Sequence, residues 1–322
     1  MAAGRGAPTD GPGLAPGINS VPRVSAIITT FNRARLLPKA VQSALSQTLR
    51  DFELIILDNS SNDGTPAVVR GFPDGRIRHI VHPPCRIAEA RNRGLAEAVG
   101  EFIAFLDDDD EWLPLKLARQ VEAFERGPDS LGLVYGGFVR IDDGGAEYAV
   151  HAPALQGKIL RELLWNRAPF TGSASNPMMR ASAVRALGGF NGALATSEDW
   201  ELYLRLAERF EIGCVPETVV RIRTHAATRL GDRIDEARRV EELVLDRYGA
   251  SMEPRLRSLY YRKIGGKLCR VGAVREGRAR ILDAIKGDPL NPLGYAQYGL
   301  SLLGGGAYAR VHRLWARRRR RP

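Results

Sequence analysis

Between Val24 and Leu106 four short apolar runs recur: VSAIIT from Val24, FELIIL over Phe52–Leu57, one over Arg76–Val81 and one over Glu101–Leu106, starting roughly 25 residues apart. The intervals between them carry helical spacing. Around Leu36–Ser46, Leu37, Ala40, Val41, Ala44 and Leu45 fall on one face, and Thr65–Arg70 and Ala88–Val99 read the same way. A strand, a helix and the next strand at this spacing make a βαβ unit. Strands that are apolar throughout, rather than alternating, are covered on both faces. The pattern predicts an α/β fold built on a doubly wound, mostly parallel sheet.

In an open parallel sheet, ligands sit beyond the carboxyl ends of the strands. Three of the four runs end there in polar clusters: Thr30-Phe31-Asn32, then Asp58 through Gly64, then Asp107-Asp108-Asp109-Asp110-Glu111. One rim of the sheet therefore collects the chemistry.

Beyond the amphipathic helix Lys116–Arg126, Gly127-Pro128-Asp129 breaks the chain. Leu131–Ile141 reads as a strand and Asp142–Gly145 as a hairpin-type turn. Lys158–Leu164 and Ser182–Leu187 read as short helices, and Gly188–Asn191 as a turn. A helix over Ser197–Phe210, with Ser197 as its N-cap, precedes a last strand, Val215–Arg223, that ends at Thr224-His225. The expected division is a leader over 1–22, two halves over 23–127 and 128–229, and a helical region over 230–322.

The three cysteines are odd in number and widely spaced, with no Cys-x-x-Cys pair, which points to a reducing compartment. No run of 18 apolar residues occurs, and the Gly, Pro and Ala-rich start lacks the apolar core of a signal peptide. The net charge of +10 is unevenly held. Residues 1–229 carry 26 basic and 27 acidic side chains, a balance of −1, and residues 230–322 carry 21 and 10, a balance of +11.

Five consecutive acids need countercharges, since two unit charges ~4 Å apart repel by about 4 kcal/mol at a surface-like dielectric. Either they splay into solvent or a cation sits among them. Their place at the rim suits a hard divalent cation held by one or two carboxylates and by substrate phosphate oxygens. The spacing excludes an EF-hand. Asp58 at the same rim can accept hydrogen bonds from a nucleobase N–H or a ribose hydroxyl, and Phe31 offers a face for stacking; Asn59–Gly64 are also ordinary turn formers. Glu198-Asp199 open a helix, where the dipole favours acids, and neighbouring Trp200 would desolvate a carboxylate toward the raised pKa of a general base. His225, a lone histidine, is more often structural than a ligand.

Taken in order, VSAIITTFNR, FELIILDNSSNDGT, AEARNRGL, GEFIAFLDDDDEW, MMRASAVRALGGFN, SEDWELYLRLA and VRIRTH resemble a family 2 glycosyltransferase of the GT-A fold, over about 200 residues from Val24 to His225. The resemblance implies transfer of a sugar from a nucleotide-diphosphate donor to a hydroxyl, with inversion. It places Thr30, Phe31, Asn32 and Asp58 around the nucleoside with Arg91 and Asn92 nearby, and Asp107 on the ribose. It assigns Mg²⁺ or Mn²⁺ to Asp109, with His225 beside the metal and diphosphate, and in the Glu198-Asp199 pair it makes Asp199 the catalytic base. Four aspartates in a row leave the register open by one, so Asp108 and Asp110 stand as the alternative. The Gln-x-x-Arg-Trp signature of processive synthases is missing, which implies single addition. A nucleotidyltransferase would need a Gly-rich phosphate loop after the first strand, and TTFNRAR has none; a non-catalytic nucleotide-sugar-binding subunit is the other alternative.

Residues 255–293 look like a helical hairpin of tetratricopeptide type, expected to pack on the catalytic domain or on another copy in a homo-oligomer. Leu300–Leu303, Tyr308, Val311, Leu314 and Trp315 lead into Arg317–Arg321. That order suits a helix on an anionic membrane face, with a solvated tail as the alternative. Nucleic acid is not expected, because no recognised binding motif accompanies the charge. The expectation is a cytoplasmic enzyme, peripheral on the inner face of the membrane, acting on a glycan or lipid-linked acceptor.

Overall fold

The computed structural model describes residues 20–165, 170–225 and 234–318, with side chains as far as His312. Most of the expected leader, the expected junction at 229/230, the side chains of Leu314 and Trp315, and Arg319–Arg321 lie outside the described residues. The described chain divides into two compact units, one of residues 20–192 and 198–225, the other of 193–197 and 234–318.

The first unit begins β1 (Val24–Thr30), α1 (Leu37–Leu45), β2 (Phe52–Asp58), α2 (Thr65–Arg70), β3 (Ile77–Val81), α3 (Ile87–Glu97) and β4 (Phe102–Asp107). These strands pair in parallel in the order β3-β2-β1-β4. Alternate residues serve opposite faces. Val24, Ala26 and Ile28 of β1 join Leu37, Ala40, Val41 and Ala44 of α1 in one apolar cluster. On the other face α3 lies so close that a Cβ at Gly94 would come within 2.6 Å of Ile27 Cγ2 and 2.8 Å of Leu57 Cδ1. Only glycine fits that crossing.

The unit continues with β5 (Glu111–Trp112), α4 (Lys116–Arg126), β6 (Leu131–Ile141), β7 (Glu147–His151), α5 (Leu160–Trp165), β8 (Met178–Arg180), α6 (Ala181–Ala186), α7 (Glu198–Arg209) and β9 (Glu211–Arg223). Beyond β4 the sheet runs β8-β6-β9-β5, with β7 on β6. The mostly parallel expectation holds for the first four strands and for β6 with β9. Antiparallel pairs join these at β8, which runs against both β4 and β6, at β7 on β6 and at β5 on β9. The sheet is therefore mixed. A three-residue strand filling the gap between two longer ones has no periodicity of its own to read. Ser197, expected as the N-cap of the helix that α7 forms, holds a φ of 59°.

Buried amides seal the seam around α4. Gln120 Nε2 donates to the carbonyls of Val134 and Asn176, and Asn176 Nδ2 donates to those of Gly136 and Thr171. Lys116 is fully buried there, donating to Gln120 Oε1 at 2.5 Å and lying 4.7 Å from the Trp112 ring centroid. Burial pushes its ammonium well below the usual lysine range.

The second unit is helical: α8 (Ile234–Tyr248), α9 (Pro254–Arg270), α10 (Val274–Gly287), α11 (Pro292–Leu302) and α12 (Gly305–Arg318). α9 and α10 form the expected hairpin. They meet where a Cβ at Gly265 would lie 2.7 Å from the Gly277 carbonyl oxygen. Tyr308, expected on an apolar surface of the tail, is instead buried with Cys269 and Ile281.

Candidate active site

Strand register assembles the rim. Thr30 pairs with Asp58, and Thr29 with Asp107, so the end of β1 lies between the two carboxylates. The turns beyond the strand ends are tied together: Asn32 N donates to Ser61 Oγ, and Asn62 N to Asn32 Oδ1, each at 2.9 Å. Asn32 and Ser60 hold φ angles of 52° and 61°, a region that asparagine tolerates better than most residues. Asp63 accepts from Thr65 and from Ala34 N, which holds its carboxyl below the usual range.

Asp58 is fully buried. Its Oδ1 accepts from Ser61 N at 2.8 Å, while Oδ2 has no hydrogen-bond partner and lies 3.5 Å from His79 Nε2. Phe31 beside it is 51% exposed, leaving a ring face open. The Pro83–Arg86 loop is fastened to this turn, since Asn59 exchanges both amide hydrogen bonds with the Cys85 backbone and Ser60 Oγ donates to the His82 carbonyl.

Each of the five acids from Asp107 to Glu111 has a polar partner. Asp107 Oδ1 accepts from Arg91 Nη2 at 2.8 Å. Asp108 lies 3.9 Å from Arg33 Nε. Asp109 Oδ2 is 2.8 Å from His225 Nε2. Asp110, buried, accepts from Ser173 Oγ and Ser175 Oγ through Oδ2 and from Arg223 N through Oδ1. Glu111 pairs with Arg223 Nη2 at 3.0 Å. The crowding still tells on the carboxyls. Burial pushes Asp108 up to about 7, with the Asp109 and Asp107 charges adding, against the Thr30 hydroxyl and Arg33. Burial also raises Asp110 well above the carboxylate range, with Asp107 and Asp109 adding. Of the two registers, 108/110 loses one member, because both oxygens of Asp110 are taken up inside the fold.

Arg91 is the hub. It is 5% exposed, lies 5.9 and 5.6 Å from the ring centroids of the edge-to-face pair Phe105 and Phe190, and donates through Nη1 to Glu198 Oε1 as well as to Asp107. Burial opposes its charge, but Glu198, Asp107 and Asp199 outweigh that and hold the guanidinium protonated above its usual range. Glu198 is 5% exposed, and burial raises its carboxyl, with Arg91 pulling it back and Asp199 adding. Asp199 Oδ1 accepts from Trp200 N.

Asn92, expected near the nucleoside, is tied to the turn after α6. Its amide donates to the Phe190 carbonyl and accepts from Phe190 N, both at 2.8 Å, so its polar atoms hold the turn after α6. In that turn Gly189 has φ at 73°, and a Cβ there would lie 2.5 Å from Asn92 Oδ1. Ser173 and Ser175, which no sequence pattern marks, anchor the acidic loop: Asp107 N donates to Ser175 Oγ at 2.9 Å. They lie more than 60 residues away in an unpatterned TGSASNP stretch.

Arg223 fastens the remaining corner. Its Nε donates to the Asp109 carbonyl and its Nη1 to those of Asp142 and Asp143. His225 then spans two carboxylates, with Nδ1 2.7 Å from Asp143 Oδ1 and Nε2 on Asp109. Among the described residues no group of three or more His, Cys, Asp and Glu is arranged to hold a metal. Asp109 and His225 supply one carboxylate and one imidazole at the rim. That donor set fits Mg²⁺ or Mn²⁺ whose other positions are filled by water and phosphate oxygens.

Comparison with known proteins decides the family. The glycosyl transferase family 2 model matches residues 25–188, half of the chain. The chain belongs to glycosyl transferase family 2. EpsE of Bacillus subtilis (strain 168) is 33% identical to this family 2 chain over 197 residues, covering 59% of the chain and 69% of EpsE. The Escherichia coli UDP-Glc:alpha-D-GlcNAc-diphosphoundecaprenol beta-1,3-glucosyltransferase WfaP is 42% identical over 103 residues, 32% of the chain and 41% of WfaP. Several other curated relatives are likewise matched over only 36% to 47% of their own length. Among solved structures, S. aureus TarS 1–349 in complex with UDP-GlcNAc superposes with a TM-score of 0.63 at 12% identity, covering 92% of each chain. The mannosyltransferase PcManGT from Pyrobaculum calidifontis in complex with GDP-Man and Mn²⁺ gives 0.52 at 18% identity, over 96% of this chain and 91% of that one. At these identities the likeness is one of fold: a GT-A-like mixed α/β sheet followed by helices.

Proposed function

We propose that the chain transfers a single sugar from a nucleotide-diphosphate donor to a hydroxyl of a lipid-linked glycan precursor, with inversion. One observation carries the reading. Strand register and Arg91 gather Asp58, Asp107, Asp109 and the Glu198-Asp199 pair along a single rim of the sheet. The lipid-linked acceptor is supported by the diphosphoundecaprenol in the names of relatives.

In this reading Asp58 accepts from the nucleobase through its carboxylate, Phe31 stacks on the base, and Thr30 and Asn32 shape the floor. Asp107 accepts from the ribose. Asp109 and His225 would hold Mg²⁺ or Mn²⁺, which when bound would supply positive charge for the leaving diphosphate. Asp199 takes the acceptor hydroxyl proton, a contribution of about 10²–10⁴-fold. Glu198 and Arg91 position the carboxylates, and Asn92 sets the turn that carries Phe190. The enzyme works at the cytoplasmic face of a membrane.

A thermal-shift screen of UDP-, GDP-, ADP- and dTDP-sugars with Mn²⁺ identifies the donor, and transfer of that sugar to a diphosphoundecaprenol-linked acceptor tests the reaction. Stabilisation by one nucleotide class with metal-dependent transfer is expected. Binding without transfer to any acceptor would leave the non-catalytic alternative standing.

A further inference from the structure

From residue 289 to the end the chain contains no acidic side chain, and 289–309 contains no charged side chain of either sign. α11 occupies the middle of that stretch. One side of it is well used: Gly294 and Ser301 are buried, and Arg278 Nη2 donates to the Ser301 carbonyl at 2.7 Å. The other side is apolar and open to solvent. Leu293 is 42%, Tyr295 52% and Leu302 59% exposed, with flanking Leu290 and Leu303 at 82% and 71%. A helix facing water normally presents charged residues on its outer side; this one presents leucine, tyrosine, alanine and glycine.

The stripe is too short to cross a bilayer. Eleven residues rise about 16 Å against a hydrocarbon core of about 30 Å, and no helix among the described residues is long and apolar enough to span one. The chain beyond the stripe is strongly basic, since residues 310–322 contain seven arginines and no acid. An uncharged, leucine-rich stripe joined to an acid-free arginine segment matches a surface with an apolar interior and an anionic face.

We propose that α11 lies in the plane of an anionic lipid surface, with Leu290, Leu293, Tyr295, Leu302 and Leu303 in the acyl boundary and the acid-free basic sequence beyond Ala309 supplying attraction to the lipid phosphates. The inference deepens the reading of a transferase acting on a lipid-linked acceptor, and it moves the apolar contact from Tyr308, which is buried, to the outer side of α11.

Co-sedimentation of the full chain, without donor or acceptor, is measured with vesicles of phosphatidylcholine alone and of equimolar phosphatidylcholine and phosphatidylglycerol. Binding to the anionic vesicles alone is expected. Replacement of Leu290, Leu293, Leu302 and Leu303 by Ser keeps every arginine and should weaken that binding about tenfold or more, with melting temperature and donor-induced thermal shift unchanged. Equal binding by both forms overturns the role of α11, because the arginines would then suffice. Absence of binding overturns it as well, as does a dimer in sedimentation equilibrium that the four serines dissociate. Because donor binding is read separately, loss of the lipid contact is distinguishable from failure of the transferase reading.

Discussion

Arg91 Nη2 donates to Asp107 Oδ1 at 2.8 Å, and its other terminal nitrogen donates to Glu198, 107 residues further along the chain. One buried cation thus fixes the distance between the end of β4 and the start of α7. Removing one member of such a group strands the others as buried, unpaired charges. Arg91→Met is expected to cost about 3–5 kcal/mol of stability, read from urea unfolding. Arg91→Lys should recover only part of it, because a point charge cannot bridge two carboxylates as a guanidinium fork does. Full recovery by lysine would show that charge alone matters there.

The four aspartates should separate cleanly by variant. Asp110→Ala leaves Ser173, Ser175 and the Arg223 N–H without their buried acceptor, so the melting temperature should fall markedly. Asp109→Ala touches a partly exposed carboxylate and should leave melting nearly unchanged while abolishing the Mn²⁺ dependence of donor binding. Paired melting curves and Mn²⁺ titrations distinguish the two. An unaltered Mn²⁺ titration in Asp109→Ala would remove that residue from the metal site.

The first four strands and the rim were legible because continuous apolar runs ending in polar clusters are a local signal. β8 and β5 were not, since strands of three and two residues exist only through partners elsewhere in the chain. The same limit explains the site. DDDD shows four equal carboxylates, and only the fold assigns one to Arg91, one to His225 and one to a serine-lined interior. AEARN placed Arg91 and Asn92 near the nucleoside, and only the fold shows that the Asn92 amide also engages a backbone 98 residues away, a contact no short motif encodes.

Lys116 gives the protein a pH-dependent stability term. Its folded-state pKa is depressed by burial, so between that value and the ordinary lysine pKa the unfolded chain binds more protons, and stability rises with pH. Lys116→Met removes the term. The melting temperature of the variant minus that of the wild type should therefore be largest at neutral pH and shrink as pH climbs toward about 10.4. Differential scanning calorimetry across that window measures it, and a difference that stays constant would mean the ammonium is not destabilised by its surroundings.

Asp199 is the residue on which the proposed chemistry turns. It adjoins Glu198, whose carboxyl is held by Arg91, and its Oδ1 accepts from Trp200 N, which fixes the side chain at the start of α7. Asp199→Asn preserves shape and hydrogen bonding but cannot accept the acceptor proton. Transfer is expected to fall by about 10²–10⁴-fold, with donor affinity and melting temperature close to wild type. Glu198→Gln acts through Arg91 and should instead lower stability and raise the donor KM. Steady-state kinetics of the two variants separates base from support: if Asp199→Asn changes KM and leaves kcat intact, the proton is taken elsewhere.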